Sequence, residues 1–254
     1  MKVQITNRWN ASVLFEANVN CSAYATDGVR LGLAVKLAVK AGANLAGAYL
    51  RGAYLAGANL TGANLTDAYL AGAYLAGAYL TDAYLAGANL TDANLTDAYL
   101  RGANLAGANL TDAYLAGANL TDANLTDAYL RGANLAGANL RGTNLADANL
   151  AGAYLRGTKL TGANLAGARW TDGAIIKREP IQIYGLAYPV TILDDRMQIG
   201  CELHSLAEWE AFDDERISKM DGVAARRFWR MMKDALLAIA KADGRGVKSE
   251  AEAA

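Results

Sequence analysis

Residues 43–67 read ANLAG AYLRG AYLAG ANLTG ANLTD, and the same five-residue unit runs on to residue 167. Leu occupies every fifth position from Leu45 to Leu165, 25 times without exception. Ala stands two residues before each Leu, from Ala43 to Ala163, replaced only by Thr143 and Thr158. Asn or Tyr fills the place between them except at Lys159, and the unit closes on Ala, Thr or Arg followed by Gly or Asp. Five residues of α-helix turn through about 500°, which would set successive Leu side chains about 140° apart and spread them over every face. A continuous strand alternates its side chains with period two, so an odd spacing would throw Leu to opposite faces of a sheet. What fits is a chain that resets its phase once per unit. Ala and Leu point to one side of a short extended segment, and the last two residues make a corner. Gly supplies any backbone region a corner needs, and Asp can bond its own local backbone. Pro, which would remove a ladder N–H, is absent from Ala43 to Trp170.

These residues resemble the pentapeptide-repeat proteins, whose unit is written A(D/N)LXX, over about residues 43–172. The resemblance implies a mainly β fold: a right-handed quadrilateral β-helix with four units per coil and Ala and Leu inside. One inward column would then hold Leu45, Leu65, Leu85, Leu105, Leu125, Leu145 and Leu165. Twenty-five units make about six coils, roughly 30 Å tall at a strand spacing of about 4.8 Å. The inward Thr143 and Thr158 are each expected to bond a backbone carbonyl.

With twenty residues per coil, positions twenty apart stack. Tyr49 lies under Tyr69, Tyr54 under Tyr74 and Tyr79 under Tyr99, giving three surface tyrosine stacks, while Asn104, Asn124, Asn144 and Asn164 form one row. The Asn rows are expected to bond one another along the stack and the Tyr rings to shield the ladder. A Tyr recognition surface fits less well, because the rings are spread over all four faces. From Ala43 to Leu165 there are eight Asp against five Arg and Lys159. Several relatives in the resembling family are DNA mimics that bind DNA gyrase and related type II topoisomerases. Such mimicry needs dense negative charge, since a duplex carries one charge per about 1.7 Å, and this tower is nearly balanced.

Working outward, the whole chain of 254 residues is 53% hydrophobic and 19% charged, with 24 Lys+Arg against 25 Asp+Glu. That excludes a disordered solvating chain and a strongly basic nucleic-acid binder, so direct nucleic-acid binding is not expected. Two cysteines, Cys21 and Cys201, make no disulfide framework, which suits the reducing cytoplasm. The sequence shows no secretory leader and no bilayer-spanning apolar run, so no membrane partner is expected. Cys201 and His204 make a C-x-x-H pair, too few ligands for a metal. No phosphate loop, nucleophile elbow or paired base for a thiol appears, and neither enzyme activity nor a cofactor is expected.

A solenoid needs covered ends. Residues 1–42 read as an N-terminal cap: strands Val3–Trp9 and Val13–Val19, then a helix capped by Asp27 whose apolar side, Val29, Leu33, Leu37 and Ala41, sits on the first coil. The entry VRLGLAVKLAVKAGANL resembles pentapeptide-repeat proteins of bacteriophages and prophages. Residues 173–243 read as a small α+β module with strands Ile181–Ile183, Val190–Leu193 and Met197–Cys201. Ser205 and Glu208 form a capping box before a helix carrying Leu206, Trp209, Ile217 and Met220, with a break near Asp213 and Asp214. A second helix follows Asp221. Its Trp229, Met232, Leu236 and Ile239, at 3, 4, 3 spacing, form a seam for the first helix or for a second subunit, and they are the candidate interface of a homodimer. Residues 244–254 read as a frayed tail. The function that fits is a rigid scaffold for contacts with a protein partner, with topoisomerase inhibition by duplex mimicry as the alternative.

Overall fold

The computed structural model describes residues 1–178, 180–183 and 185–245. It divides into two compact units, Met1–Ile175 and Ile176–Ala254.

The first unit is built on one repeated turn. The Leu45 carbonyl accepts from the Ala48 N–H at 3.0 Å, and the residue before Ala48, Gly47, has φ of 67°. A 1→4 bond with positive φ at the third residue is the signature of a type II turn. The last residue of every quintet from Gly47 to Gly167 takes positive φ, and the eight Asp among them lie between 55° and 58°. Only Gly, or Asn and Asp with their locally bonding side chains, enter that region readily, which is why the unit ends on Gly or Asp.

Four such turns return the chain over itself. Leu45 N–H donates to the Asn64 carbonyl at 3.1 Å, Gly47 N–H to Thr66 at 2.8 Å, and Tyr69 N–H to Ala48 at 2.8 Å. Parallel bridges join Tyr49 to Tyr69, Tyr54 to Tyr74, Asn59 to Tyr79 and Asn64 to Tyr84, and so on up the four faces. Each face gives a single bridge per coil rather than a strand of several residues. The interior is filled from within the quintets: no Leu from Leu45 to Leu165 is more than 9% exposed. The Thr143 hydroxyl donates to the Leu140 carbonyl, and Thr158 donates to Leu135 at 3.0 Å, so both hydroxyls admitted to this apolar interior are partnered.

Strands β1 (Lys2–Thr6) and β2 (Val13–Asn18) form an antiparallel hairpin whose register shifts between Ile5 and Thr6. Beyond it, the Thr6 carbonyl accepts from Tyr49 N–H at 2.8 Å and Arg8 N–H donates to Gly47 at 2.7 Å. Helix α1 (Asp27–Lys40) is capped by Thr26, whose side chain accepts from Val29 N–H, and Asp27 is its first residue rather than its cap. The Gly28 carbonyl accepts from Tyr54 N–H at 2.9 Å. The hairpin and the helix thus satisfy two edge donors of the first coil. The buried face of α1 differs from the expected Leu stripe. Gly32, Ala34, Val35 and Ala38 are buried, while Leu37 is 41% exposed. The reason is closeness: a Cβ on Gly28 would collide with the Gly52 carbonyl, and one on Gly32 with the Tyr54 carbonyl.

The second unit is an antiparallel meander, β3 (Ile181–Ile183), β4 (Val190–Ile192), β5 (Arg196–Ile199) and β6 (Glu202–Ser205), followed by α2 (Leu206–Ala211) and α3 (Asp214–Ala242). The expected strand Met197–Cys201 ends at Ile199, Gly200 turns at φ of 60°, and β6 follows. Ser205 and Glu208 make the capping box in both directions. Asp213 caps α3, which breaks its helical geometry at Asp221 and Gly222. Val190, Ile192, Met197 and Ile199 form a core with Leu206, Trp209, Ile217, Phe228, Trp229 and Leu236. Of the expected tail, residues 246–254 lie outside the described residues. Gly244 and Arg245 do not fray: Arg178 donates to the Asp243 and Gly244 carbonyls at 2.9 and 3.2 Å, and Arg245 is buried with its Nε 2.7 Å from Asp243. No helix of the described residues is long and apolar enough to cross a membrane.

Candidate functional site

With Ala and Leu turned inward, the repeats of the first unit meet a partner through the other three positions of each quintet, and each has its own geometry. At the Asn/Tyr position the rings of Tyr49 and Tyr69 stack with centroids 5.4 Å apart, Tyr79 and Tyr99 at 4.9 Å, while Tyr54 and Tyr74 are tilted at 6.0 Å. Five of these six rings are 44% to 53% exposed. They cover the ladder on one side and leave the other side wet.

The Asn side chains do something other than the expected vertical bonding. Asn44 Oδ1 accepts from Ala46 N–H at 3.0 Å, Asn89 from Thr91 at 3.0 Å, and Asn124 from Thr126 N–H at 3.1 Å and Oγ1 at 2.7 Å. Among the described residues the one side-chain bond between stacked Asn is Asn164 Nδ2 to Asn144 Oδ1 at 3.1 Å. The cause is local. The N–H two residues on has no ladder partner in the turn, and an Asn carbonyl reaches it in an Asx turn. A Tyr at the same place leaves that N–H without such an acceptor.

At the last position, Asp67, Asp82, Asp97, Asp112, Asp122 and Asp147 lean up the stack. Each carboxylate occupies the space that a Cβ would take on the glycine twenty residues later. Only Asp92 with Asp112 and Asp127 with Asp147 stand Asp over Asp. None of the eight from Asp67 to Asp147 makes an ion pair among the described residues. The negative charge is therefore dispersed over the corners in short runs.

The residues singled out in the second unit fall largely inside it. Trp229 and Leu236 are buried in its core, and Met232 packs against that core half-buried. Ile239 is 40% exposed. The seam, expected to pack on the first helix or on a second subunit, is thus mostly occupied within its own unit. His204 packs edge-on against Trp209 and Phe212, at 5.2 and 4.9 Å, with Nε2 3.0 Å from Glu202. Cys201 is exposed. Among the described residues no group of three or more His, Cys, Asp or Glu is placed to hold a metal.

A family model for pentapeptide repeats matches the chain in eight copies, over residues 41–75, 63–102, 93–132, 108–147 and 138–169. The chain belongs to the pentapeptide-repeat family. Membership implies the right-handed quadrilateral β-helix for the stacked turns described above. A search of curated proteins found no match. Among solved structures the chain is similar to the pentapeptide repeat protein Rfr23 from the cyanobacterium Cyanothece 51142, at 38% identity over 38% of this chain and 63% of that one, with a TM-score of 0.26. It is similar to HetL from the cyanobacterium Nostoc sp. strain PCC 7120, a protein involved in heterocyst differentiation regulation, at 36% identity over 52% and 74%, with a TM-score of 0.21. A trypsin-treated form of QnrB1, a plasmid-mediated fluoroquinolone resistance protein, matches at 22% identity over 43% and 58%, with a TM-score of 0.38. The chain thus spans less than two thirds of the length of QnrB1 and Rfr23, at 58% and 63%.

Proposed function

We propose that this pentapeptide-repeat chain is a non-enzymatic, cytoplasmic scaffold for protein–protein contacts, of phage or prophage type. The observation that carries the reading is the division of labour within the quintet. Its inward positions hold only Ala, Leu and Thr, buried to 9% exposure or less beyond the half-buried Ala43, and its outward positions repeat at the coil spacing as a regular surface. Capture from a lysate of the source organism, with cross-linking to the full chain, tests it. The expected result is one protein retained stoichiometrically with cross-links to named outward positions. Retention of none contradicts it.

The rival reading is topoisomerase inhibition by duplex mimicry. Asp over Asp occurs at only two places in the tower, far from the density of one charge per about 1.7 Å that a duplex presents. A supercoiling assay with DNA gyrase is expected to show no inhibition, and inhibition near stoichiometric protein would reverse the preference. A homodimer through α3 is the less favoured arrangement, because Trp229 and Leu236 pack in the core of their own unit. Sedimentation at micromolar concentration is expected to give a monomer, and a concentration-dependent dimer contradicts that.

A further inference from the structure

We infer that the outward stripe of α3, formed by Val223, Arg226, Arg227, Arg230 and Met231, docks an acidic amphipathic helix of a protein partner. This rests on the scaffold reading and gives it a surface and a partner chemistry. The five side chains line one shallow groove of about 420 Å³. They lie away from Phe228, Trp229 and Leu236, which bury the other side of the helix. Val223 is 69% and Met231 71% exposed, two helical turns apart, or about 12 Å, with the arginines between them.

Charge in this unit is segregated. From Val223 to Asp234 there are four cations and one acid, the exposed Asp234 at the far end, whereas Glu202 to Asp221 holds seven acids. Five of those seven are engaged within the unit: Asp214 with Arg230, Glu215 with Lys219, Glu210 with Lys241, Glu208 in the capping box and Asp221 with the Tyr188 hydroxyl at 2.7 Å. Arg226 and Arg227 make no hydrogen bond or ion pair among the described residues. A stripe that is apolar at both ends and cationic between matches a helix with apolar residues two turns apart and carboxylates between them. A phosphate backbone would gain nothing from Val223 and Met231. Two exposed apolar side chains also give too little area to seat a helix in a bilayer surface.

The probe is a fluorescein-labelled helical peptide carrying Leu-Gln-Ala-Glu-Glu-Gln-Ala-Leu, read by anisotropy against the full chain. The Glu peptide is expected to bind at least about tenfold tighter than its Gln counterpart, with affinity falling as salt rises. Arg226→Glu/Arg227→Glu is expected to abolish binding and Met231→Ser to weaken it, with unchanged circular dichroism in both. Equal binding of the Glu and Gln peptides, or displacement of the Glu peptide by duplex DNA or phosphatidylserine vesicles at lower concentration, overturns the inference. If a captured partner binds the double-Glu variant as well as the parent, this surface fails while the scaffold reading stands. If no partner is captured, the scaffold reading fails on its own account.

Discussion

Asp122 and Gly142 illustrate how a corner residue is chosen. Asp122 sits at φ of 58°, and its carboxylate fills the space over Gly142 in the next coil. Six of the eight Asp have Gly twenty residues later, Asp92 and Asp127 being the exceptions, a preference that stays hidden in the sequence until the coil length and the upward lean of the side chain are both known. Gly137 has Gly117 below it and Gly157 above, whereas Gly102 lies between Asp82 and Asp122. Gly137→Asp is expected to change stability by no more than about 0.5 kcal/mol. Gly102→Asp should destabilise by roughly 1–2 kcal/mol from two stacked like charges, and added salt should relieve part of it. Urea melts of the two variants at low and high salt check this, and equal effects would contradict the preference. The Asn column carries a second lesson. Its vertical repetition was legible, but its bonding was not, because an Asx turn serves the nearest unpaired N–H before any neighbour twenty residues away. Asn124→Ala should cost about 0.5–1.5 kcal/mol by leaving Thr126 N–H and hydroxyl without their acceptor, as measured by chemical denaturation.

Among the elements, α1 shows where hydrophobic spacing misleads. Leu33 and Leu37 mark an apolar stripe, yet the face pressed to the coil is the one carrying Gly28 and Gly32, since backbone-to-backbone approach leaves no room for side chains. In an exposed helix Gly→Ala stabilises by about 1 kcal/mol. Here Gly32→Ala should instead destabilise by about 1–3 kcal/mol, because the new methyl meets the Tyr54 carbonyl. Leu37→Ala is expected to stay within about 1 kcal/mol. Thermal melts of both variants test the pair, and a stabilised Gly32→Ala would show that helix and coil are not in contact. Strand β6 was missed for a related reason: Glu202, His204 and Ser205 carry no apolar alternation, and hydrogen bonding to β5 alone makes them a strand. The α2–α3 region was more legible, since its caps are written in short-range residue types. It also has a pH signature. Ser205 N–H and hydroxyl hold the Glu208 carboxyl below its ordinary range, Lys241 does the same for Glu210, and Arg230 for Asp214. Carboxyls with depressed folded pKa stabilise above their unfolded value near 4 and lose that contribution as pH falls through the folded value. Near-UV dichroism from Trp209 and Trp229 is therefore expected to melt at lower temperature as pH drops below about 4, and Glu208→Gln should flatten part of that slope.

At the scale of the whole molecule, the repeat made the coil length legible from spacing alone, while the boundary between the units was not, because Trp170 to Ile175 continues the first unit after the Leu period has ended. A solenoid of equal coils should lose stability in proportion to coils removed. Deleting residues 104–123, one full coil, is expected to leave a cooperative fold with a lower urea midpoint, and a collapse to an unfolded chain would contradict that. The fold of the first unit depends on four quintets closing one turn. It is tested most directly by electron–electron distances between spin labels in a Cys21→Ser/Cys201→Ser background, comparing Arg51→Cys/Ala151→Cys with Arg51→Cys/Arg141→Cys. Residues 51 and 151 lie on one corner five coils apart, about 24 Å at 4.8 Å per coil, whereas 51 and 141 lie on opposite corners. The predicted result is a longer distance for the pair closer in sequence. A shorter distance for 51 and 141 than for 51 and 151 would contradict the four-sided coil.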